Sequence, residues 1–484
     1  MTLDKLIEGL GAGTTGCTTD IKSIETDSRK CTPGSLFVAV EGNAADGHKF
    51  IAKAVENGAA AVVYQNEGTF EKVAQDRVTY IKVGSSRRAL SRLAANFYDH
   101  PSAKINLVGV TGTNGKTTTA TLLYRLFTSL GYACGLISTI ANYIGSKRYH
   151  TDHTTPDPLE LNALLDEMAA AGCQYCFMEV SSHAIDQDRV ADLTFRGGIF
   201  SNLTHDHLDY HKTFDNYRNC KKAFFDNLPK DAFALVNIDD ANGEVMVQNC
   251  KAHIYRYSCR KMADFRCRLM EETLDGMQLT VDGVQVWTRF IGAHNAYNLL
   301  AVYSAAVLLG ADKEEVLTLL SGMKAVDGRL EYIKGGKDIT AVVDYAHTPD
   351  ALENVLRTLK EAAKGEFLIC VFGCGGDRDR TKRPEMAAVA EKYADRIFVT
   401  SDNSRSEKTE DIMAEICTGF SPKGRAKAVC IADRREAIRA AVTLSQSPTT
   451  ILLAGKGHET YQIIGTEKHH FDEREVLDEI FKQI

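Results

Sequence analysis

Short, mostly apolar runs that break off into polar clusters constrain this chain more than any other feature. Residues 105–110 run into Thr111-Gly112-Thr113-Asn114-Gly115-Lys116-Thr117, and residues 175–178 into Glu179-Val180-Ser181-Ser182-His183. Residues 197–200 run into Ser201-Asn202-Leu203-Thr204-His205-Asp206-His207. Further along, Val343 leads to Asp344-Tyr345-Ala346-His347, Phe372 to the segment 373–380, Thr400 to Ser401-Asp402-Asn403-Ser404-Arg405, and Ala454 to Gly455-Lys456-Gly457-His458-Glu459. Runs this short and this apolar fit strands covered on both faces. Amphipathic helical segments alternate with them, so the fold class is α/β with largely parallel sheets. Ligands of open parallel sheets sit beyond the carboxyl ends of the strands. Two edges crowded with polar groups imply two sites facing a shared cleft. Any one cluster could be an ordinary turn or helix cap; the set of them together is poorly explained that way.

The chain divides into three blocks, as its 484 residues suggest. The first covers residues 1–100. It holds strands at 35–40 and 59–64, helices at 48–58 and 87–98, and a breaker at Asp99-His100-Pro101. The second, 101–330, opens with the strand at 105–110 and ends near a helix at 313–323. Between them, residues 253–290 alternate polar and apolar positions around Asp275-Gly276 and Asp282-Gly283, which predicts antiparallel hairpins. The glycine-containing segment 328–337 reads as a linker into the third block, 331–484. That block carries strands at 339–343, 367–372, 396–400 and 450–454.

A net charge of −7 argues against a nucleic-acid binder. No run of 18 apolar residues predicts a membrane span, and Met1-Thr2-Leu3-Asp4-Lys5 lacks the pattern of a signal peptide. The 13 cysteines show no disulfide or metal framework. Cys31, Cys134, Cys176, Cys370 and Cys430 read as small core residues of a cytoplasmic protein.

Gly112-Thr113-Asn114-Gly115-Lys116-Thr117 sits between a predicted strand and a predicted helix at 118–130. Backbone N–H groups of such a loop close around phosphates, Lys116 brings a charge to the β/γ-phosphates, and the Thr117 hydroxyl suits Mg²⁺. The usual loop has a glycine where Val110 stands; this variant has glycines at 109 and 112. Glu179, ending a neighbouring strand, is a natural Mg²⁺ ligand. His205, His207 and His211 are less natural ones. Their i, i+2, i+6 spacing could suggest zinc, but no Cys or third carboxylate at zinc spacing supports it. Arg378, Arg380, Lys382 and Arg383 crowd one loop, and Arg405 ends the next strand. Convergence of Arg378 and Arg405 predicts a carboxylate clamp.

Taken together, the loop 112–117, Glu179-Val180-Ser181-Ser182-His183, Thr204-His205-Asp206-His207-Leu208-Asp209, His294-Asn295-Ala296-Tyr297-Asn298, Gly328-Arg329 and Asp344-Tyr345-Ala346-His347-Thr348-Pro349 resemble the Mur ligases. These are ATP-dependent amide-forming enzymes of cell-wall precursor synthesis. Asp402-Asn403-Ser404-Arg405 and Gly455-Lys456-Gly457-His458-Glu459 resemble the branch that adds the third residue of the peptide. The resemblance spans essentially the whole chain. It implies an N-terminal uridine-nucleotide-binding domain, a central P-loop ATPase domain and a C-terminal Rossmann-like domain that binds the incoming amino acid.

The resemblance also implies residue roles. Thr26, Ser28, Asn43 and Ala44 would contact the uridine nucleotide. Thr154, Thr155, Ser181, Gln187 and Arg189 would hold the muramyl dipeptide, UDP-N-acetylmuramoyl-L-alanyl-D-glutamate. Gly112, Thr113, Asn114, Gly115, Lys116, Thr117 and Thr118 would hold ATP, with Asn295 at the adenine and Arg329 and Asp344 brought to the nucleotide. Thr117, Glu179, His207 and Lys221, the last as a carbamate formed with CO₂, would bind Mg²⁺. The adjacent Lys222 leaves the register of that lysine open. Lys116, Glu179, His207, Lys221 and Arg189 would carry catalysis. Arg378, Asp402, Asn403, Ser404, Arg405, Gly455 and Glu459 would bind the incoming amino acid. Ser404 stands where the diaminopimelate branch carries proline, but Arg405 is kept, so meso-diaminopimelate is favoured over L-lysine. The other readings are a different ligase of the superfamily and a P-loop ATP-binding module without ligase activity. A monomer without nucleic-acid or membrane partners is expected.

Overall fold

The computed structural model describes residues 1–11, 19–42, 45–66, 78–151, 153–204, 206–336, 338–363, 365–446 and 448–483. They form two compact units, Met1–Arg256 and Tyr257–Ile484.

The first unit holds two sheets. One is four-stranded and parallel, in the order Ser23–Glu25, Ser35–Val38, Ala59–Tyr64, Thr79–Lys82. Apolar side chains alternate across it. Leu36, Val38, Ala61 and Val63 pack on one face with Leu90 and Leu93 of the helix Ser86–Phe97. Phe37 and Val62 pack on the other with Ile51 and Ala54. The Ser85 hydroxyl caps that helix by accepting from Arg88 N. The breaker at Asp99-His100 is real, with left-handed φ of 55° and 49°.

The second sheet contains a parallel run in the order Phe233–Asn237, Gly197–Phe200, Asn106–Thr111, Tyr175–Glu179, Cys134–Ile137. The hairpin strands Asn142–Ile144 and Lys147–Tyr149 extend it antiparallel. Asn106–Thr111 is central, and Leu107, Val108 and Val110 are fully buried. Gly109 lies inside this strand and not in the phosphate loop. A Cβ on it would press within 2.9 Å of Phe224, Phe195 and Val180 side chains, so it is a packing glycine. The loop variant therefore rests on Gly112 and Gly115 alone.

In the second unit, Phe265–Thr273, Gly276–Val281 and Val284–Thr288 form the expected antiparallel hairpins. The stretch from residue 253 is corrected in part: the strand His253–Ser258 pairs parallel with Phe265–Thr273, through Tyr257 and Ser258. The C-terminal sheet runs Glu331–Lys334, Ile339–Asp344, Thr449–Ala454, Phe367–Phe372, Arg396–Val399, Ala428–Cys430. It is parallel except at its first strand. Apolar cores cover both of its faces. Residues 328–337 are thus not a plain linker. Glu331–Lys334 is an antiparallel edge strand, made possible because one partner strand suffices for so polar a segment.

Cys31, Cys134, Cys176 and Cys370 are buried as expected, but Cys430 is exposed. It ends an edge strand, and its sulfur stands 3.4 Å from that of Cys417. Among the described residues, no helix is long and apolar enough to cross a membrane.

Candidate active site

The loop after Asn106–Thr111 turns on two glycines that carry positive φ, 150° at Gly112 and 87° at Gly115. A Cβ on Gly112 would land on the Ser201 hydroxyl, so only glycine lets the two strand ends approach. The loop is pinned from the neighbouring strand end. Thr113 N donates to Asn202 O at 2.8 Å, Asn114 N to Asn202 Oδ1 at 3.0 Å, and Ser201 Oγ to Asn114 O at 2.6 Å. The helix Lys116–Ser129 then starts, its first N–H groups facing the loop. Thr118, in its first turn, is buried. Lys116 Nζ folds back onto Gly112 O and Thr113 O at 2.9 and 2.8 Å.

Two strand ends meet beneath the loop. Thr117 Oγ1 donates to the buried Glu179 Oε2 at 2.9 Å, and Thr139 N donates to Oε1 at 2.8 Å. The Thr117 hydroxyl and the Glu179 carboxylate are adjacent hard oxygens, the donor type Mg²⁺ takes. Thr139 Oγ1 donates to Thr154 Oγ1 at 3.1 Å. Thr155 Oγ1 donates to Glu179 O at 2.8 Å and accepts from Ser181 N at 3.2 Å. The Arg189 guanidinium reaches Thr155 O at 2.7 Å and Gln187 Oε1 at 2.7 Å. Thr154, Thr155, Ser181, Gln187 and Arg189 therefore lie in one hydrogen-bonded line beside Glu179.

The helix Phe214–Asp226 delivers Lys221 to the same loop. Its ammonium is buried, donates to Gly112 O at 2.8 Å and lies 4.9 Å from the Tyr217 ring centroid. Burial first, and the Lys116 charge second, push the Lys221 amine well below its ordinary pKa. Lys222 turns away and pairs with Asp226 at 2.7 Å. His207, in a left-handed conformation, packs its ring 4.9 Å from that of His183. Burial, opposed by Asp206 and reinforced by His183, Lys116 and Lys221, lowers His207 to about 4. A neutral imidazole there offers one ring-nitrogen lone pair to a cation.

In the first sheet, Thr26 is exposed just past the strand Ser23–Glu25, and Ser28 is buried at the following turn. Asn43 and Ala44 lie outside the described residues.

In the second unit, Asn295 lies buried in the first turn of the helix Ala293–Leu308, donating to Ile291 O at 2.8 Å and accepting from Asn298 at 3.0 Å. Asp344 ends Ile339–Asp344 and accepts from Leu330 N and Ala346 N at 2.7 and 2.8 Å. Burial raises its carboxyl, with Arg329 opposing. The Arg329 guanidinium lies 4.9 Å from the Tyr345 ring centroid.

The ends of Phe372, Thr400 and Ala454 converge. Arg405, at φ 50°, donates to Gly376 O at 2.8 Å. A Cβ on Gly375 would stand 3.0 Å from Arg405 Nη1 and 3.7 Å from Arg378 Cγ, so the two arginines flank that glycine. The other cations of the loop are engaged elsewhere. Arg380 and the fully buried Arg383 pair with Glu407 and Glu415, and Lys382 bonds His347 O. Ser404 is buried and its carbonyl accepts from Glu407 N.

Lys456 was not singled out by the sequence reading, yet it organises this edge. Its ammonium is fully buried, 3.1 Å from Glu459 Oε2, 3.3 Å from Asn403 Oδ1 and 3.9 Å from Asp402 Oδ1. Asn403 Nδ2 donates to Glu459 at 2.9 Å. Burial would raise Asp402, but the Lys456 and Arg434 cations hold it below its ordinary value; Glu459 stays raised by burial. Gly455, at φ 115°, keeps the backbone clear of the Asp402 carboxylate. Asn202, which anchors the loop, and Thr139, which anchors the Glu179 carboxylate, were also missed. The signal for all three was only their place at strand ends.

Residues 110–306 match the Mur ligase middle domain, 328–457 the Mur ligase glutamate ligase domain, and 20–98 the Mur ligase family catalytic domain. The chain belongs to the Mur ligase family, with its three-domain architecture. It is 51% identical over 484 residues to the UDP-N-acetylmuramoyl-L-alanyl-D-glutamate–2,6-diaminopimelate ligase of Phocaeicola vulgatus, covering 99% of each chain. It is 53% identical to the ligase of that name from Cytophaga hutchinsonii, over 95% of this chain and 94% of that one. A solved structure of a ligase of the same name aligns at a TM-score of 0.68 with 31% identity, covering 96% of this chain and 95% of that one. A MurF ligase from Thermotoga maritima in complex with ADP shares the fold at a TM-score of 0.62 and 19% identity, covering 96% of this chain and 97% of the other.

Proposed function

We propose that this chain is the ATP-dependent ligase that joins meso-diaminopimelate to UDP-N-acetylmuramoyl-L-alanyl-D-glutamate. A carboxylate is a poor acyl donor because its leaving group would be oxide. A carboxylate oxygen of the D-glutamyl residue takes the γ-phosphoryl group as the bond to ADP breaks. The diaminopimelate amine then attacks the acyl carbon, loses a proton, and phosphate leaves. The work of the protein is alignment and charge stabilisation of two anions.

Single roles follow. The 112–118 loop and helix start cradle the phosphates, with Lys116 as their cation and Asn295, Arg329 and Asp344 toward the nucleotide. Thr117, Glu179 and His207 would hold Mg²⁺, which supplies neutralisation of phosphate charge. Lys221 would join them as a carbamate: its depressed pKa favours the neutral amine that CO₂ requires, and the product is an anionic oxygen donor. Thr154, Thr155, Ser181, Gln187 and Arg189 hold the dipeptide, and Thr26, Ser28, Asn43 and Ala44 the uridine nucleotide. Arg378 and Arg405 grip the far carboxylate of diaminopimelate, while Asp402, Asn403, Ser404, Gly455 and Glu459 hold its amine end. Domain limits of 1–100, 101–330 and 331–484, a cytoplasmic location and a monomer without nucleic-acid or membrane partners complete the reading.

The observation that carries it is the meeting of Lys116, Lys221, Thr117 and Glu179 at one glycine-turned loop. The test is phosphate release with ATP, the muramyl dipeptide nucleotide and a panel of amino acids. Release is expected only with both acceptors present and fastest with meso-diaminopimelate. Equal or faster turnover of L-lysine would leave only the ligase class standing.

A further inference from the structure

The spacing of His205, His207 and His211 offers no cysteine or carboxylate partner for a zinc site, but the fold supplies both to His211; His205 lies outside the described residues. Asp186, His211 and Cys220 place a carboxylate oxygen, an imidazole nitrogen and a sulfur within 4.8 Å of one another. They come from three helices, Ser182–Asp186, Leu208–His211 and Phe214–Asp226. Ser182 gathers two of them: its hydroxyl lies 3.0 Å from His211 Nε2, and its carbonyl accepts from Cys220 Sγ at 3.1 Å. The Tyr210 hydroxyl donates to Asp186 Oδ2 at 2.6 Å and orients that carboxylate. His211 is buried, Cys220 half-buried and Asp186 exposed, so the cluster opens to solvent on its carboxylate side.

We propose that Asp186, His211 and Cys220 form a binding site for one thiophilic divalent cation of the zinc class. One sulfur, one nitrogen and one oxygen is a donor set that zinc takes and magnesium does not. Three protein ligands leave a fourth position for water. Ligand atoms around a tetrahedral zinc stand roughly 3.4–3.8 Å apart, given metal–ligand bonds of about 2.0–2.3 Å. Binding would draw the three donor atoms inward from their present spread of up to 4.8 Å. On binding, the Cys220 thiol gives its proton to solvent and the imidazole binds in its neutral form. Its three donors share no residue with the Thr117, Glu179, His207 and Lys221 set proposed for Mg²⁺.

The test uses the full-length protein, stripped of metal and titrated with Co²⁺. A stoichiometric thiolate-to-cobalt charge-transfer band is expected, displaced by Zn²⁺ and not by Mg²⁺. Cys220→Ala and His211→Asn should each abolish the band and weaken Zn²⁺ binding by about 100-fold or more, since even groups that only support a ligand cost 10–100-fold. The double variant Cys417→Ser/Cys430→Ser should keep the band, which excludes the other close thiol pair. Circular dichroism checks that each variant is folded; should Cys220→Ala not fold, Cys220→Ser replaces it. Absence of a stoichiometric band in the unmodified protein, or a band unchanged by loss of the Cys220 thiol, would overturn the proposal.

Discussion

Lys221 Nζ donates a 2.8 Å hydrogen bond to the carbonyl of Gly112, across 109 residues of sequence. The bond ties the middle of one helix to the first turn of the phosphate loop. It also buries an amine beside a second cation, Lys116. Both effects favour the uncharged amine. A lysine in solution keeps its proton at pH 7; this one sits where losing it is cheap.

That environment makes Lys221 testable as a carbamate. Lys221→Ala should lose nearly all ligation, and a short carboxylic acid should restore part of it by supplying the missing oxygen donor. Depleting CO₂ should slow the unmodified enzyme and leave the rescued variant unaffected. Phosphate release in CO₂-stripped and bicarbonate-supplemented buffer measures both. Full activity in Lys221→Ala would remove this residue from the mechanism.

Lys116→Ala should cut kcat by about 10³, the scale of losing one preorganised charge at a developing anion. Stability should fall little, because the ammonium bonds carbonyls of its own loop, Gly112 O and Thr113 O. An unchanged urea midpoint together with normal turnover would undo the ATP-site assignment.

Much of this was legible in the sequence, for a physical reason. Strands buried on both faces must be apolar throughout, so residues 59–64, 197–200 and 367–372 could be read to the residue. The structure differs where chemistry at one position depends on distant partners. Gly109 looked like a loop glycine because the sequence hides Phe224 and Phe195, whose rings press on it. Cys430 looked apolar by its neighbours, but the edge of a sheet leaves it exposed. Lys456 carried no mark in the sequence beyond its place in the 455–459 motif, because its partners Asp402 and Asn403 lie more than fifty residues away. Residues 331–334 looked like linker because a single-sided edge strand needs little apolar content.

Beneath the Asp402 strand end, Arg434 and Glu473 form a 2.7 Å ion pair in which both side chains are fully buried. Arg434 also donates to Ser401 O at 3.1 Å and Ala454 O at 2.9 Å, so it braces two strand ends. Removing one partner leaves an uncompensated buried charge. Glu473→Ala should therefore destabilise the protein by about 3–5 kcal/mol. Urea unfolding measures it; a loss under 1 kcal/mol would show the pair to be dispensable.

The substrate end of that same edge gives the sharpest test of specificity. Arg405 and Arg378 flank Gly375, and among the described residues the Arg405 guanidinium bonds Gly376 O, with further N–H groups to offer a carboxylate. Diaminopimelate carries a second carboxylate at the far end of its side chain; L-lysine ends there without one. Lysine would leave the arginine unpaired, a mismatch that discriminates by several kcal/mol. Ser404 in place of a proline frees one φ angle and loosens the loop, but does not remove the guanidinium. Arg405→Ala should raise the KM for meso-diaminopimelate about 100-fold, equivalent to ~3 kcal/mol for a lost charge-assisted pair. The KM for ATP should stay within about twofold, because only the amino-acid end is altered. Initial rates across both substrates separate these outcomes. A KM for diaminopimelate that does not move would place its far carboxylate away from Arg405.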